Sequence, residues 1–469
     1  MSLFGRHPIV PALLFGVCFG LSQGALTFAA VPQNSTAIWP TSGLALAAVM
    51  ILGARIWPAV AAGVFTAHVV ATRDPLTALT VGVATALEAV LGAALIQRSA
   101  GGADVFRTPW TVFRFAAIVV VTCAIGGALV TIGLTLSSHA DWGAWHYTWM
   151  TTWLSHVTGT LVVAPFVMLW TQTPMDRLRL FEIVEAAGLL ALLVVVSFVV
   201  FNGLFPYEVK TYPLEFLCVP LLLWAAFRFG RREMTAVILI LSVIAVRGTL
   251  RKFGPFAQAT PQESLVLLQA YISVMSLMGL VLVAVVAEHK KAEAQLHHLA
   301  TTDPLTGLAN YRHLIDALRI EISRSTRTGR PFAVLFLDMD GLKRINDQHG
   351  HLVGSRAICR VADTLRRCCR TPDTPARFGG DEFAVILPET SKEGAQRVLD
   401  RINERLARDM TKPAVSVSAG LAVYPNDGDT PTLLLRAADD ILYEAKTTKP
   451  SGDRVSGRSG AASGDRAIG

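Results

Sequence analysis

What most constrains this 469-residue chain is a succession of apolar runs between Ile9 and Ala287. Each approaches the roughly 20 residues that a helix needs to cross about 30 Å of hydrocarbon. They cover residues 9–30, 36–54, 56–72, 76–97, 111–137, 147–171, 183–204, 213–228, 233–247 and 264–287. A water-soluble domain cannot bury so many helices that are apolar on every side, so this half is expected to lie in lipid. The mean hydropathy of +0.46, with 16% charged residues, agrees. After Glu288 the sequence becomes charge-rich and of ordinary globular composition, which marks the main domain boundary.

The net charge of +7 does not call for nucleic acid. Much of the Lys and Arg sits in short loops between apolar runs, where positive charge sets orientation. Arg6, Arg55, Arg98, Arg107, Arg177, Arg179, Arg228, Arg231, Arg232, Lys290 and Lys291 share one side if ten spans leave both termini in the cytosol. Arg247, Arg251 and Lys252 then fall on the other side, so eight spans are the alternative count. The run from Ile9 to Ala30 is too long for a signal-peptide core and reads as a retained span. Cys18, Cys123, Cys218, Cys359, Cys368 and Cys369 have no metal-ligand spacing and are assigned no chemistry. Glu88, His68 and His156 lie in or near apolar runs, where an ionisable group is costly. They line a ligand or proton site, or they face the bundle interior and tie neighbouring helices.

Three stretches of this half carry a resemblance. They are Ile38-Trp39-Pro40-Thr41-Ser42-Gly43, Gly53-Ala54-Arg55-Ile56-Trp57-Pro58 and Trp224-Ala225-Ala226-Phe227-Arg228-Phe229-Gly230. They resemble the first family of MASE membrane-associated sensor domains over most of residues 1–290, which implies a sensory input and names no ligand.

From Ala284 the last apolar run continues into strong helix formers without Gly or Pro, predicting a helical linker over 289–302. Ala292, Leu296 and Leu299 form a short apolar stripe suited to pairing with a second chain. Beyond Thr302 helical and strand-like runs alternate, predicting an α/β domain over 303–450. Phe332–Leu337 reads as a buried strand with Asp338 and Asp340 at its end, where carboxylates suit a cation. Ala376-Arg377-Phe378 and Glu382–Leu387 flank Gly379-Gly380, a hairpin signal that sets Asp381 at the tip. If the two strands are neighbours, Asp338 and Asp381 converge, and such a pair fits Mg²⁺ shared with substrate phosphates.

Asp303-Pro304-Leu305-Thr306-Gly307, Asp338-Met339-Asp340, Lys343, Asn346-Asp347, Gly350-His351 and Arg377–Phe383 stand in order. Together they resemble the GGDEF diguanylate cyclase family over about 300–447. The resemblance implies a ferredoxin-like, nucleotidyl-cyclase-like fold that joins two GTP into cyclic di-GMP and releases two pyrophosphates. Two domains must meet, so a homodimer is implied. Asp338, the carbonyl of Met339 and Asp381 resemble Mg²⁺ ligands, with Mn²⁺ as a substitute. Asp381 resembles the group that activates the hydroxyl, Glu382 its supporting acid, and Gly379 and Gly380 the room for nucleotide. Lys343 and Lys446 resemble phosphate contacts, and Asn346 and His351 the nucleoside reader.

Two positions depart from that family. Ser355 stands where an Asp commonly reads the guanine edge; a hydroxyl both donates and accepts, so mixed cyclic GMP-AMP is an alternative product. After Lys446 a Gly-Arg-Asn-like run is replaced by Thr447-Thr448-Lys449-Pro450, leaving Lys449 or Arg454 as the replacement phosphate contact. Arg370-Thr371-Pro372-Asp373, with Arg401 beyond, resembles the family's product-inhibition site. Residues 451–469, rich in Gly, Ser and Arg, read as a disordered tail.

The whole is expected to be a multi-pass protein of a bacterial inner membrane, its N-terminus and cyclase domain cytoplasmic. The competing readings are a non-catalytic cyclic di-GMP receptor and a transporter-like sensor.

Overall fold

The computed structural model describes residues 9–27, 36–172, 180–202 and 214–448. Expectations for Arg6, Arg177, Arg179, Lys449, Arg454 and the tail lie outside them. The chain divides into two compact units, Met1–Lys291 and Ala292–Gly469.

The first unit is helical: α1 (Ile9–Thr27), α2 (Pro40–Leu52), α3 (Trp57–Thr72), α4 (Pro75–Ser99), α5 (Pro109–Leu136), α6 (Trp145–Gln172), α7 (Leu180–Phe201), α8 (Val219–Arg228), α9 (Arg231–Leu250) and α10 (Pro261–Thr301), the last crossing the division. Eight of these, all but α2 and α8, belong to helical segments long and apolar enough to cross a membrane. At 13 and 10 residues, α2 and α8 reach about 20 and 15 Å, short of the hydrocarbon thickness. Gly53, at a φ of 95°, stops α2 early. The ten expected runs are therefore eight spanning-length helices and two short ones.

Several of the helices start where a side chain satisfies free N–H groups. Asp74 accepts from the backbone N–H groups of Leu76 and Thr77 at the head of α4. Thr108 caps α5 in a reciprocal pair with Thr111. Proline occupies the first turn of both, where a missing N–H costs nothing. The core joins Phe115, Met168, Leu193, Phe201, Leu222, Met234 and Leu268 with residues of every helix but α3's second half.

The second unit is an α/β layer structure. One four-stranded sheet of β1 (Phe332–Met339), β2 (Thr374–Gly379), β3 (Glu382–Leu387) and β4 (Val417–Tyr424) has the order β2-β3-β1-β4, antiparallel throughout. α11 (Tyr311–Thr328) precedes the sheet, α12 (Leu342–His349), α13 (His351–Cys368) and α14 (Lys392–Ala407) run between its strands, and α15 (Pro431–Thr448) follows it. Because side chains alternate along a strand, β1 feeds two cores. Ala333, Leu335, Leu337 and Met339 join residues of α13 and α14, while Phe332, Val334 and Phe336 join those of α11 and α15. A strand so apolar on both sides can only be central, and its end is where the sheet meets solvent.

Candidate active site

The candidate site grows from that strand end. Asp338 is the penultimate residue of β1, opposite Glu382 on β3 and Ser418 on β4, so both carboxylates point to one face. Gly380 takes a φ of +52° at the β2–β3 tip, a left-handed conformation that glycine adopts without strain. The turn returns the chain so that the Met339 N–H donates to the Asp381 carbonyl at 3.0 Å. Gly379 has open space around it. Asp338, Met339, Gly379, Gly380, Asp381 and Glu382 thus form one edge.

Lys446 on α15 reaches this edge, its Nζ 2.6 Å from Asp338. That contact differs from the expected phosphate role: here the ammonium sits as a cation against the carboxylate. Burial, only partly offset by Lys446, pushes the Asp338 carboxyl above its usual range, and Asp381 and Asp340 push the same way. Glu382 is raised by burial and by Asp338, Asp381 and Asp439. Crowded carboxylates of this kind favour a bound cation. Among the described residues no three His, Cys, Asp or Glu side chains gather for one ion. A hard cation here would take two carboxylates, the Met339 carbonyl and oxygens from substrate and water, which suits Mg²⁺. Asp340, also expected to suit a cation, instead accepts from Ser416 and Ser418 hydroxyls at 2.8 and 2.7 Å.

Sequence reasoning gave Arg377 and Asp303 no role. Arg377 donates from Nε and Nη2 to the Gly380 carbonyl at 3.0 and 2.6 Å and from Nη1 to both Asp303 oxygens at 3.2 Å. Burial raises Asp303, but hydrogen bonds from Thr306 and the Arg377 charge outweigh it and hold the carboxyl low. The pair clamps the hairpin tip to the start of the domain. An Arg two residues before Gly379, with an Asp opening the Asp-Pro-Leu-Thr motif, was the available signal.

The remaining expected residues flank the edge. Lys343 and Asn346 lie on α12, and His351 and Ser355 on the first turns of α13. A Cβ at Gly354 would collide with Asn346 Oδ1, so the two helices meet closely there. No contact joins Lys343, His351 or Ser355 to the carboxylates among the described residues. Arg370 and Asp373 form a turn: the Arg370 N–H donates to the Asp373 carboxylate at 2.7 Å, and the Asp373 N–H to the Arg370 carbonyl at 3.0 Å. Arg401 of α14 donates to the Cys368 carbonyl at 2.5 Å, which brings it beside that turn.

The membrane unit has a polar centre of its own. His156 Nδ1 of α6 donates to both Glu88 oxygens on α4 at 2.9 and 3.0 Å, and the Ser42 hydroxyl of α2 donates to Glu88 at 3.0 Å. An added Cβ at Gly126 on α5 would collide with Glu88, so that glycine makes room for the carboxylate. His68 does not join the pair; it donates to the Val64 carbonyl and packs against Trp39 at 5.2 Å between ring centroids. A cavity of about 30 Å³ lies among Thr36, Trp39, His68, Thr77, Ser155 and His156. Trp39 Nε1 is buried without a partner among the described residues. Gln269 of α10 donates from Nε2 toward the carbonyls of Thr36, Ala37 and Thr151 at 3.3, 3.0 and 3.3 Å. Thr158 of α6 meets Ser273 of α10 at 2.8 Å.

Comparison with known proteins agrees with both halves. The model of the "Diguanylate cyclase, GGDEF domain" family matches residues 300–451, and the MASE1 model matches 10–290. The response regulator PleD of Caulobacter vibrioides is 37% identical over 159 residues, 32% of this chain and 35% of that protein. Diguanylate cyclase TpbB of Pseudomonas aeruginosa is 32% identical over 244 residues, 49% of this chain and 54% of that protein. The chain thus spans about half or less of the curated relatives it matches. Among solved structures, the coiled coil and GGDEF domain of DgcB from Caulobacter crescentus in complex with c-di-GMP is 30% identical over 35% of this chain and 91% of that one, with a TM-score of 0.34. Diguanylate cyclases of this kind use divalent metal ions. The MASE1 match and the eight spanning-length helices make this a multi-pass membrane protein. The chain belongs to the MASE1 family and carries, at the end of its last membrane helix, a GGDEF domain of the diguanylate cyclase family.

Proposed function

We propose that this protein condenses two GTP into cyclic di-GMP and two pyrophosphates under control of its membrane unit. The observation that carries this is the edge where Asp338, Glu382 and Asp381 crowd one another while Lys446 neutralises the first. Each domain holds one GTP, so two chains meet face to face. The 3′-oxygen of one nucleotide bonds to the α-phosphorus of the other, and the bond to pyrophosphate breaks. Asp381 accepts the hydroxyl proton, and Glu382 keeps that corner anionic. Bound Mg²⁺ supplies charge neutralisation on the triphosphate. Lys446 and Lys343 supply more of it, Lys446 by exchanging Asp338 for phosphate oxygens. Arg377 keeps the hairpin in place by holding the Gly380 carbonyl.

The proposed setting is a bacterial inner membrane, with the N-terminus and the cyclase domain in the cytoplasm and residues 289–302 as the pairing linker. Leu296 and Leu299 are each 68% exposed on α10, in keeping with a partner helix. Product returns to the turn of Arg370 and Asp373, with Arg401 beside it, as feedback.

The test is to incubate the full-length protein in detergent with Mg²⁺ and GTP, with and without ATP, and to identify products by mass spectrometry. Cyclic di-GMP from wild type and none from Asp381→Ala is expected; equal output from both would end the enzyme reading. Arg370→Ala should accumulate more product with an unchanged initial rate. A second reading rests on Ser355, whose hydroxyl has no partner among the described residues and accepts either purine. In that case ATP in the mixture yields cyclic GMP-AMP, and Ser355→Asp suppresses it about tenfold or more.

A further inference from the structure

Neither the cyclase site nor the polar centre uses Arg247 and Arg251. They stand one turn apart at the end of α9, with Arg251 its C-cap, and make no side-chain ion pair or hydrogen bond among the described residues. With both termini cytosolic, as proposed above, they fall on the outer side, where retained arginines are uncommon. An anionic partner would account for them.

Both arginines line a lateral groove of about 870 Å³ between α1, the start of α2, α6 and α9. Its walls include Leu21, Ile38, Val163, Val243, Val246 and Leu250. Gly20 and Gly24 of α1 also line it, and a Cβ added at either meets nothing within 4 Å. Among the described residues no helix fills this face. Its shape is a long apolar trough ending in two guanidinium groups, which matches a molecule with a hydrocarbon chain and a phosphate head.

We infer that the groove binds one anionic phospholipid, an acyl chain along the glycine face of α1 and the phosphate against Arg247 and Arg251. Arginine suits this partner because its planar fork pairs two N–H groups with phosphate oxygens. The low-dielectric surroundings strengthen that pairing. A second copy of the chain is the competing occupant, but a two-fold contact would bring two more arginines to the same rim. Occupancy would also bear on the output helix, since Ile238 and Met234 of α9 lie 3.0 and 3.2 Å from where a Cβ of Gly279 on α10 would stand.

The experiment reconstitutes the full-length protein in bilayer discs of phosphatidylcholine with a minority of phosphatidylglycerol. The protein is then extracted into neutral detergent, and the retained lipid is identified by mass spectrometry. Wild type should retain phosphatidylglycerol over phosphatidylcholine by about tenfold or more, near one per chain. Arg247→Gln with Arg251→Gln should abolish the preference. Gly20→Phe with Gly24→Phe, which fills the trough and spares the arginines, should abolish retention of either lipid. Unchanged preference in the first variant, unchanged retention in the second, or lipid displaced by a second chain in the wild type would overturn the site. Labelling an Arg251→Cys variant from the outer side with a membrane-impermeant thiol reagent tests the orientation separately. Failure there would correct the topology while lipid retention stood, and neither readout depends on cyclase turnover.

Discussion

Each unit holds a carboxylate against a cationic or cation-forming partner, and the two pairs are built to opposite ends. Glu88 and His156 are each 4% exposed, fastened by two hydrogen bonds and by Ser42. Lys446 and Asp338 are 38% and 17% exposed and share a single contact. The sealed pair cannot exchange partners without opening the bundle, because an ion stripped of its partner in lipid is costly. The half-open pair can, and nucleotide chemistry requires it to. Burial thus separates a fixed joint from an exchangeable one made of similar groups.

The contrast breaks first if chemistry and stability travel together in the cytosolic unit. Asp381→Asn should lower turnover about 10⁴-fold, between 5 and 6 kcal/mol in the barrier, while moving the cytosolic melting transition little; parallel kinetics and calorimetry check this. A melting shift as large as the kinetic loss would make Asp381 a structural residue. Next in size, Glu88→Ala should destabilise the membrane unit by about 3–5 kcal/mol, read as an earlier unfolding transition in detergent. Loss of activity in Glu88→Ala without loss of stability would turn the fixed joint into a signalling one.

Asp303 supplies a pH handle. Its folded carboxyl is held low, so its contribution is present above the unfolded carboxylate range near pH 4 and is lost as pH falls through the folded value. Asp303→Asn should therefore cost about 1.5–3 kcal/mol of cytosolic stability at pH 7 and little at pH 3, measured by denaturant titration at both. Asp338 has the opposite sign. Its folded carboxyl is raised, so the metal-free fold loses stability as pH rises from the unfolded value to the folded one. Asp338→Asn should leave the metal-free stability unchanged or raise it by less than about 1 kcal/mol, while removing activity. A clear drop would show that the Lys446 contact holds the fold together.

Legibility in the sequence followed the distance over which partners must be found. The apolar length of each run exposed the membrane half, and the spacing of Asp338, Gly379, Gly380 and Asp381 exposed the cyclase edge, because a strand end and a hairpin are local objects. Glu88, His68 and His156 were visible as costly residues, yet nothing in the sequence joined two of them and left out the third. Glu88 and His156 are 68 positions apart and meet only through helix packing that Gly126 permits. Arg377 was in view as part of a motif, but its grip on Gly380 and Asp303 depends on side-chain directions that motif order does not encode. The short helices α2 and α8 read as full runs because hydropathy counts apolar residues and ignores where Gly53 stops a helix.

The carboxamide of Gln269 has two protons and faces three carbonyls, while its own oxygen has no donor among the described residues. One acceptor must therefore always wait, and the choice of which is nearly degenerate, since each arrangement keeps the same number of bonds. α10, at 41 residues the longest of the described helices, thus meets the segment around Trp39 through a contact that has more acceptors than protons.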